Sequence, residues 1–255
     1  MKKVLLVDGD IVAFQAASLN QSVWEWEPDR VTVQCDLESA YARCASYISK
    51  VKKDLDADEV LVTMSCRDKA YHRKDILPSY KGNRVGSKPP VGLREIKDWM
   101  LKEWDSFEYP KLEADDVMGI LSTHPKFRAD TIKIIVSEDK DMQTIPGYVY
   151  NPAKDTAERL ITEEMADYFF FMQTLMGDTT DGYKGCPGIG EVSAAKVLDK
   201  AIADGVPLWT AVTEQFIKKG LDVDEALVQA RMARILRAED YNIKTHEVKL
   251  WEPTN

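Results

Sequence analysis

Histidine and cysteine are scarce in this chain, at three and four residues in 255. None of the cysteines (Cys35, Cys44, Cys66, Cys186) stands in a CxxC pair and the histidines are isolated, which argues against a Cys/His zinc site. Such thiols fit a reduced, cytoplasmic setting. No apolar run reaches 18 residues, so no membrane span is expected. The opening MKKVLLVDGD has two lysines, but only four apolar residues precede Asp8 and Asp10. That is too few for the apolar region of a leader, and the segment reads as a first strand. No GxxxxGKS/T motif occurs, which removes a P-loop ATPase. What remains, 44% apolar and 30% charged, is the composition of a soluble globular protein. The length allows one large domain or two smaller ones.

Strand and helix patterns alternate through the first half. Val4–Val7, EVLVTMS (59–65) and IKIIVS (132–137) are short apolar runs of the kind buried in a parallel sheet. VWEWEPDRVTVQ alternates around Pro28-Asp29 as a hairpin would. Asp36 is placed to cap a helix from Leu37 to about Leu55, and further helices are predicted near Leu93–Trp104 and from about Glu113. From Thr162 onward the pattern is helical. The expectation is an α/β fold: a mostly parallel central sheet flanked by helices over residues 1–160, then a helical subdomain over 161–255.

Acidic residues recur where strands would end and helices begin. Asp8 and Asp10 follow the first strand, Asp68 the second, and Asp139 and Asp141 the third. Glu113, Asp115 and Asp116 open a helix, and Asp178 and Asp181 repeat a three-residue spacing in MGDTTDG. Each pair alone has an ordinary structural reading, since acids complement helix N-termini and populate turns; Asp10 in particular could cap the helix after it. As a set they point to one rim at the carboxyl ends of the strands. Clustered carboxylates must protonate or bind cations, and hard oxygen donors suit Mg²⁺ or Mn²⁺, two ions being the usual device for phosphodiester cleavage. The nine acids Asp8, Asp68, Glu113, Asp115, Asp116, Asp139, Asp141, Asp178 and Asp181 match the whole net charge of −9, so the remainder is neutral overall.

Two further segments carry chemistry. Residues 67–88 hold seven Lys or Arg against two Asp, interleaved with Tyr71, His72 and Tyr80. That mixture suits phosphate contacts and base stacking, or a merely solvated loop. Lys81 and Arg84 are the candidates to offset charge on a scissile phosphate, and Arg73, Lys74 and Tyr80 are candidate DNA contacts. CPGIGEVSAAKVL (186–198) has the form of a helix-hairpin-helix at about 185–200. Gly188 and Gly190 would bring backbone amides to a phosphate, with Gly185 and Lys196 beside them, though a plain helix–helix turn is the alternative.

Together VDGD (7–10), LPSYKGNR (77–84), EADD (113–116), SEDKD (137–141), MGDTTDG (176–182) and GCPGIG (185–190) resemble the 5′ nuclease (flap endonuclease) superfamily. That superfamily includes the 5′→3′ exonuclease domain of bacterial DNA polymerase I. The phage 5′→3′ exonucleases are the nearest likeness, and QARMARILRAEDYN (229–242) is similar to them in particular. The resemblance implies a PIN-like core and a first metal site around Asp8, Asp68, Glu113, Asp115 and Asp116, with Asp139 and Asp141 nearby. It also implies a second metal associated with Asp178 and Asp181. Lys81 and Arg84 would stand at the base of a helical arch near 67–95, and residues 185–190 would hold duplex backbone, often with K⁺. The implied substrates are DNA with a 5′ end, nick or flap and RNA/DNA hybrid. The segment after Arg84 is short and interrupted by Pro89 and Pro90, and Asp68 precedes Arg73 by fewer residues than the superfamily pattern. The rival readings are a PIN-like ribonuclease and a non-catalytic nucleic-acid-binding module.

Overall fold

The sheet is built around its first strand. In the structure, a computed structural model that describes residues 1–27, 30–84, 86 and 88–253, β1 (Lys2–Asp8) is buried from Val4 to Asp8. It pairs in parallel with β4 (Glu59–Met64) on one side and β6 (Thr131–Val136) on the other. β5 (Ser106–Glu108) extends the sheet beyond β4, and β7 (Gly147–Tyr150) and β8 (Arg159–Ile161) extend it beyond β6. Within this sheet, among the described residues, only the β7–β8 pairing is antiparallel. The unbroken apolar runs follow from burial on both faces. Because the chain adds strands first on the β4 side and then on the β6 side, a crevice opens between the carboxyl ends of β1 and β6.

Helices cover both faces. One layer holds α1 (Gly9–Leu19), α2 (Leu37–Asp54) and α4 (Leu93–Glu103), which close over Leu5, Val7, Val62 and Ile134. Asp36 caps α2 by accepting from the Ser39 amide at 3.1 Å, as its position in the sequence predicts. Gly9 lets α1 approach β4, since a Cβ there would meet Val62 and Met64 side-chain atoms at 2.6 Å. The opposite layer holds α5 (Ala114–Thr123), with Val117, Ile120 and Leu121 against Leu6 and Ile135. A hairpin of β2 (Gln21–Glu27) and β3 (Arg30–Cys35) projects between α1 and α2, with Trp24 and Trp26 exposed. Its expected turn at Pro28-Asp29 lies outside the described residues.

The short α3 (Arg73–Ile76) and a 3₁₀ turn at Gly82–Arg84 occupy the expected basic segment. The helices α6 (Glu163–Met176), α7 (Glu191–Asp204), α8 (Leu208–Lys218) and α9 (Val223–Ala233) enclose a third core of Phe170, Leu198, Val212 and Phe216. Two connections cross the division expected at residue 160. Tyr80 inserts into this helical core, and after α9 the chain returns to bury Ile235, Leu236 and Tyr241 beside α5. Among the described residues no helix is long and apolar enough to cross a membrane.

Candidate active site

The crevice at the β1–β6 boundary contains a cavity of about 320 Å³ whose wall includes Asp8, Asp115, Asp139, Asp141, Asp178 and Asp181. Asp8 ends β1 and caps α1, accepting from the Ile11 amide at 3.1 Å and from Ser137 Oγ at 2.9 Å. Burial, then the charges of Asp10 and Asp139, push its carboxyl up to about 7. The capping role open to Asp10 thus belongs to Asp8. Asp10 instead pairs with Lys97 of α4 at 2.7 Å on the same cavity wall.

The EADD acids divide. Glu113 caps α5 and receives Lys81 Nζ, the Tyr80 hydroxyl at 2.8 Å and an Arg73 nitrogen at 3.0 Å. Asp115 faces the cavity, where burial and the charges of Asp8, Asp139 and Glu113 raise its carboxyl well above the ordinary range. Successive helical residues point about 100° apart, and Asp116 accordingly turns inward. It is fully buried, with Arg73 nitrogens at 2.7 and 2.8 Å and the Leu236 amide at 3.2 Å. Burial opposes its charge, but Arg73 and His72 hold the carboxyl down to about 2.

Opposite this helix, Asp139 starts a 3₁₀ turn and accepts the Asp141 amide at 2.8 Å. Burial and Asp139 push Asp141 up to about 7, opposed by a hydrogen bond from Gln173 of α6. Asp178 and Asp181 lie on a tight turn closed by paired backbone bonds between Asp178 and Tyr183. Asp181 receives Arg84 at 2.8 Å and the Tyr80 hydroxyl at 3.0 Å, with Lys81 Nζ at 3.6 Å. Lys81 therefore stands between Glu113 and Asp181. A second, more apolar cavity of about 490 Å³ shares Ser65 with the rim of this one and is bordered by Tyr71, Pro89, Leu93 and Lys97, the partner of Asp10.

Seven of the nine expected acids line or border this cavity, and two do not. Asp68 lies in an exposed turn four residues past β4, where its carboxylate accepts the Ala70 amide at 2.9 Å. The rim position beside β4 is held by Ser65. Asp116 is an internal partner of Arg73. Two expected DNA contacts are likewise internal: Arg73 is 3% exposed and Tyr80 is 3% exposed, so neither can meet a strand. Gly185 serves packing, because a Cβ there would lie 2.3 Å from the Gly177 amide nitrogen. Lys74 and Lys196 are accessible at the surface, and Gly188 and Gly190 have room around them. Sequence reasoning missed Ser65, Lys97, Ser137 and Gln173. Only Gln173 leaves a visible trace, as an amide inside the apolar run FFFMQTLM.

The family model for the 5′-3′ exonuclease N-terminal resolvase-like domain matches residues 3–167. The chain belongs to this family. Members similar to it include the exodeoxyribonuclease of Enterobacteria phage T3, 31% identical, with the match covering 99% of this chain and 93% of the relative. The exonuclease of Escherichia phage T7 is also 31% identical, over 99% of this chain and 94% of its own length. Among solved structures, the phage T5 D15 protein co-crystallised with metal ions aligns with a TM-score of 0.64 at 18% identity, covering 92% of this chain and 89% of that one. A T5 D15 flap endonuclease complex with DNA and metal ions aligns with a TM-score of 0.62 at 17% identity, covering 91% and 89%. This 5′-3′ exonuclease family member is thus a phosphodiester hydrolase, with its acids gathered at the crevice where its strand order reverses.

Proposed function

We propose that the chain degrades DNA, and RNA paired to DNA, from a 5′ end or a 5′ flap with two hard divalent cations, Mg²⁺ or Mn²⁺, leaving 5′-phosphate products. The observation that carries this reading is the electrostatic state of the cavity. Asp8 and Asp141 are pushed up to about 7 and Asp115 well upward by burial and by one another. Cations would relieve that repulsion. Among the described residues no three acids enclose a single point as a closed chelate.

Asp8 and Asp115 would hold one ion and Asp141 and Asp178 the other, with Asp139 and Asp181 beside them and water completing each shell. What the ions supply when bound is Lewis-acid polarisation of a phosphoryl oxygen and of a water. The chain's own groups do the rest. Lys81, braced between Glu113 and Asp181, and Arg84, half-exposed at the mouth, offset charge that develops on the phosphate. Gly188, Gly190 and Lys196, at the start of α7, hold duplex backbone, and K⁺ at the carbonyls of residues 185–190 and a cytoplasmic site of action belong to the same reading.

The test offers 5′-labelled duplex, flap and RNA-primer substrates with Mg²⁺ or EDTA and reads product lengths. Mg²⁺-dependent release from the labelled end is expected, and its loss in Asp139→Asn/Asp178→Asn. Undiminished cleavage by that variant overturns the site. Cleavage confined to RNA strands overturns the DNA reading in favour of a ribonuclease.

A further inference from the structure

We infer that Gln173 and Tyr183 form a positioning relay that fixes Asp141 relative to the Asp178 turn. Gln173 is 2% exposed on α6, inside an otherwise apolar stretch, and its amide nitrogen donates to Asp141 Oδ1. Its amide oxygen faces the Tyr183 hydroxyl at 3.4 Å. The polarity of this chain of bonds follows from the groups themselves. With a cation bound the Asp141 carboxylate is ionised and only accepts, so the amide NH₂ turns to it. The amide oxygen then faces Tyr183, and the phenol must donate. Tyr183 is 3% exposed, and its backbone is bonded to Asp178 in both directions, N to O at 3.1 Å and O to N at 2.9 Å.

The relay thus joins Asp141, carried by the turn after β6, to Asp178, carried by the loop after α6. These two acids come from different elements, yet in the reading above they share one ion. With one Asp141 oxygen held by Gln173, the other is left to face the cavity. Partners that orient ligands in this way contribute to metal affinity without touching the metal. The inference rests on Asp141 being a metal ligand.

Gln173→Met keeps the buried volume and removes both hydrogen bonds. Tyr183→Phe keeps the ring and releases the amide to flip. Mn²⁺ binding is followed by electron paramagnetic resonance on folded protein, alongside kcat and KM on 5′-labelled duplex. The expected result is Mn²⁺ affinity weakened at one site by about ten-fold or more in Gln173→Met, as for loss of an orienting partner. Tyr183→Phe should show a smaller change in the same direction. Asp141→Asn should affect the same site, and kcat should fall in both relay variants while KM holds. Affinity and kcat within about two-fold of the parent, in the folded variants, overturn the relay and leave these residues a packing role. If Gln173→Met fails to fold, Tyr183→Phe decides alone. No Mn²⁺ binding by the parent protein would instead overturn the metal reading, and the relay with it.

Discussion

Arg73 meets Asp116 with both terminal guanidinium nitrogens, at 2.7 and 2.8 Å, where the two side chains are 4% and 0% exposed. The same guanidinium donates to Glu113 and to the carbonyls of Met232 and Arg234. One side chain from the basic segment therefore locks the start of α5 to the C-terminal end of α9.

Arg73→Met should cost about 3–5 kcal/mol of unfolding free energy, because it strands Asp116 and part of Glu113 without a counter-charge. Arg73→Lys should recover only part of that loss, since an ammonium cannot reproduce the planar fork. Urea denaturation measures both. A variant of unchanged stability but weaker, less salt-dependent DNA binding would show that Arg73 contacts phosphate instead.

The contrast between Asp115 and Asp116 explains what was legible in the sequence. Strands buried on both faces announce themselves as apolar runs, so β1, β4 and β6 fell where LLV, VLV and IIV stand. Acids placed just after those strands had to reach a common rim. Which of two adjacent helical acids faces that rim depends on what packs behind the helix, and nothing local reports this. Counting charges in residues 67–88 has the same blind spot, because it cannot tell that Arg73 and Tyr80 point inward while Lys74 points out. Asp68 fails for a simpler reason. Four residues beyond the strand end carry it past the rim, which Ser65 occupies. Gln173 was legible only as an amide out of place.

The raised acids give the protein a metal-dependent pH profile. Asp8 and Asp141 move from the ordinary 3.8 to about 7 in the folded protein. Without a cation the folded state therefore holds protons that the unfolded chain has released. This contribution to stability is full below about pH 4 and is lost as pH rises through about 7. Mg²⁺ binds the ionised acids and compensates for that loss. The difference in melting temperature between Mg²⁺-loaded and EDTA-treated protein should accordingly grow from about pH 5 to about pH 8. In Asp8→Asn the growth should be smaller, with a higher melting temperature in EDTA at pH 8 than the parent. Scanning calorimetry checks both, and a difference independent of pH would show that the cavity acids are ionised without metal.

Two glycines of the GCPGIG turn should separate folding from DNA binding. At Gly185, φ is 64° and a Cβ would lie 2.3 Å from the Gly177 nitrogen and 2.4 Å from the Met176 carbonyl carbon. Gly185→Ala should therefore cost more than about 1 kcal/mol of stability, because neither backbone can give way. Gly190 caps α7 at φ −105° with nothing within 4 Å of where an added methyl would sit, so Gly190→Ala should cost no more than the change of N-cap residue, about 0.5–1 kcal/mol, and less than Gly185→Ala. If the start of α7 cradles a phosphate, that methyl crowds it, and duplex affinity falls while the salt slope stays unchanged, since no charge is lost. Lys196→Ala should lower affinity as well but also reduce the slope of log K against log salt, by about 0.9 for one phosphate contact. Titrations of duplex DNA at several salt concentrations read both quantities. Wild-type affinity and slope in the two variants would remove the duplex from this turn and leave it a helix–helix connection.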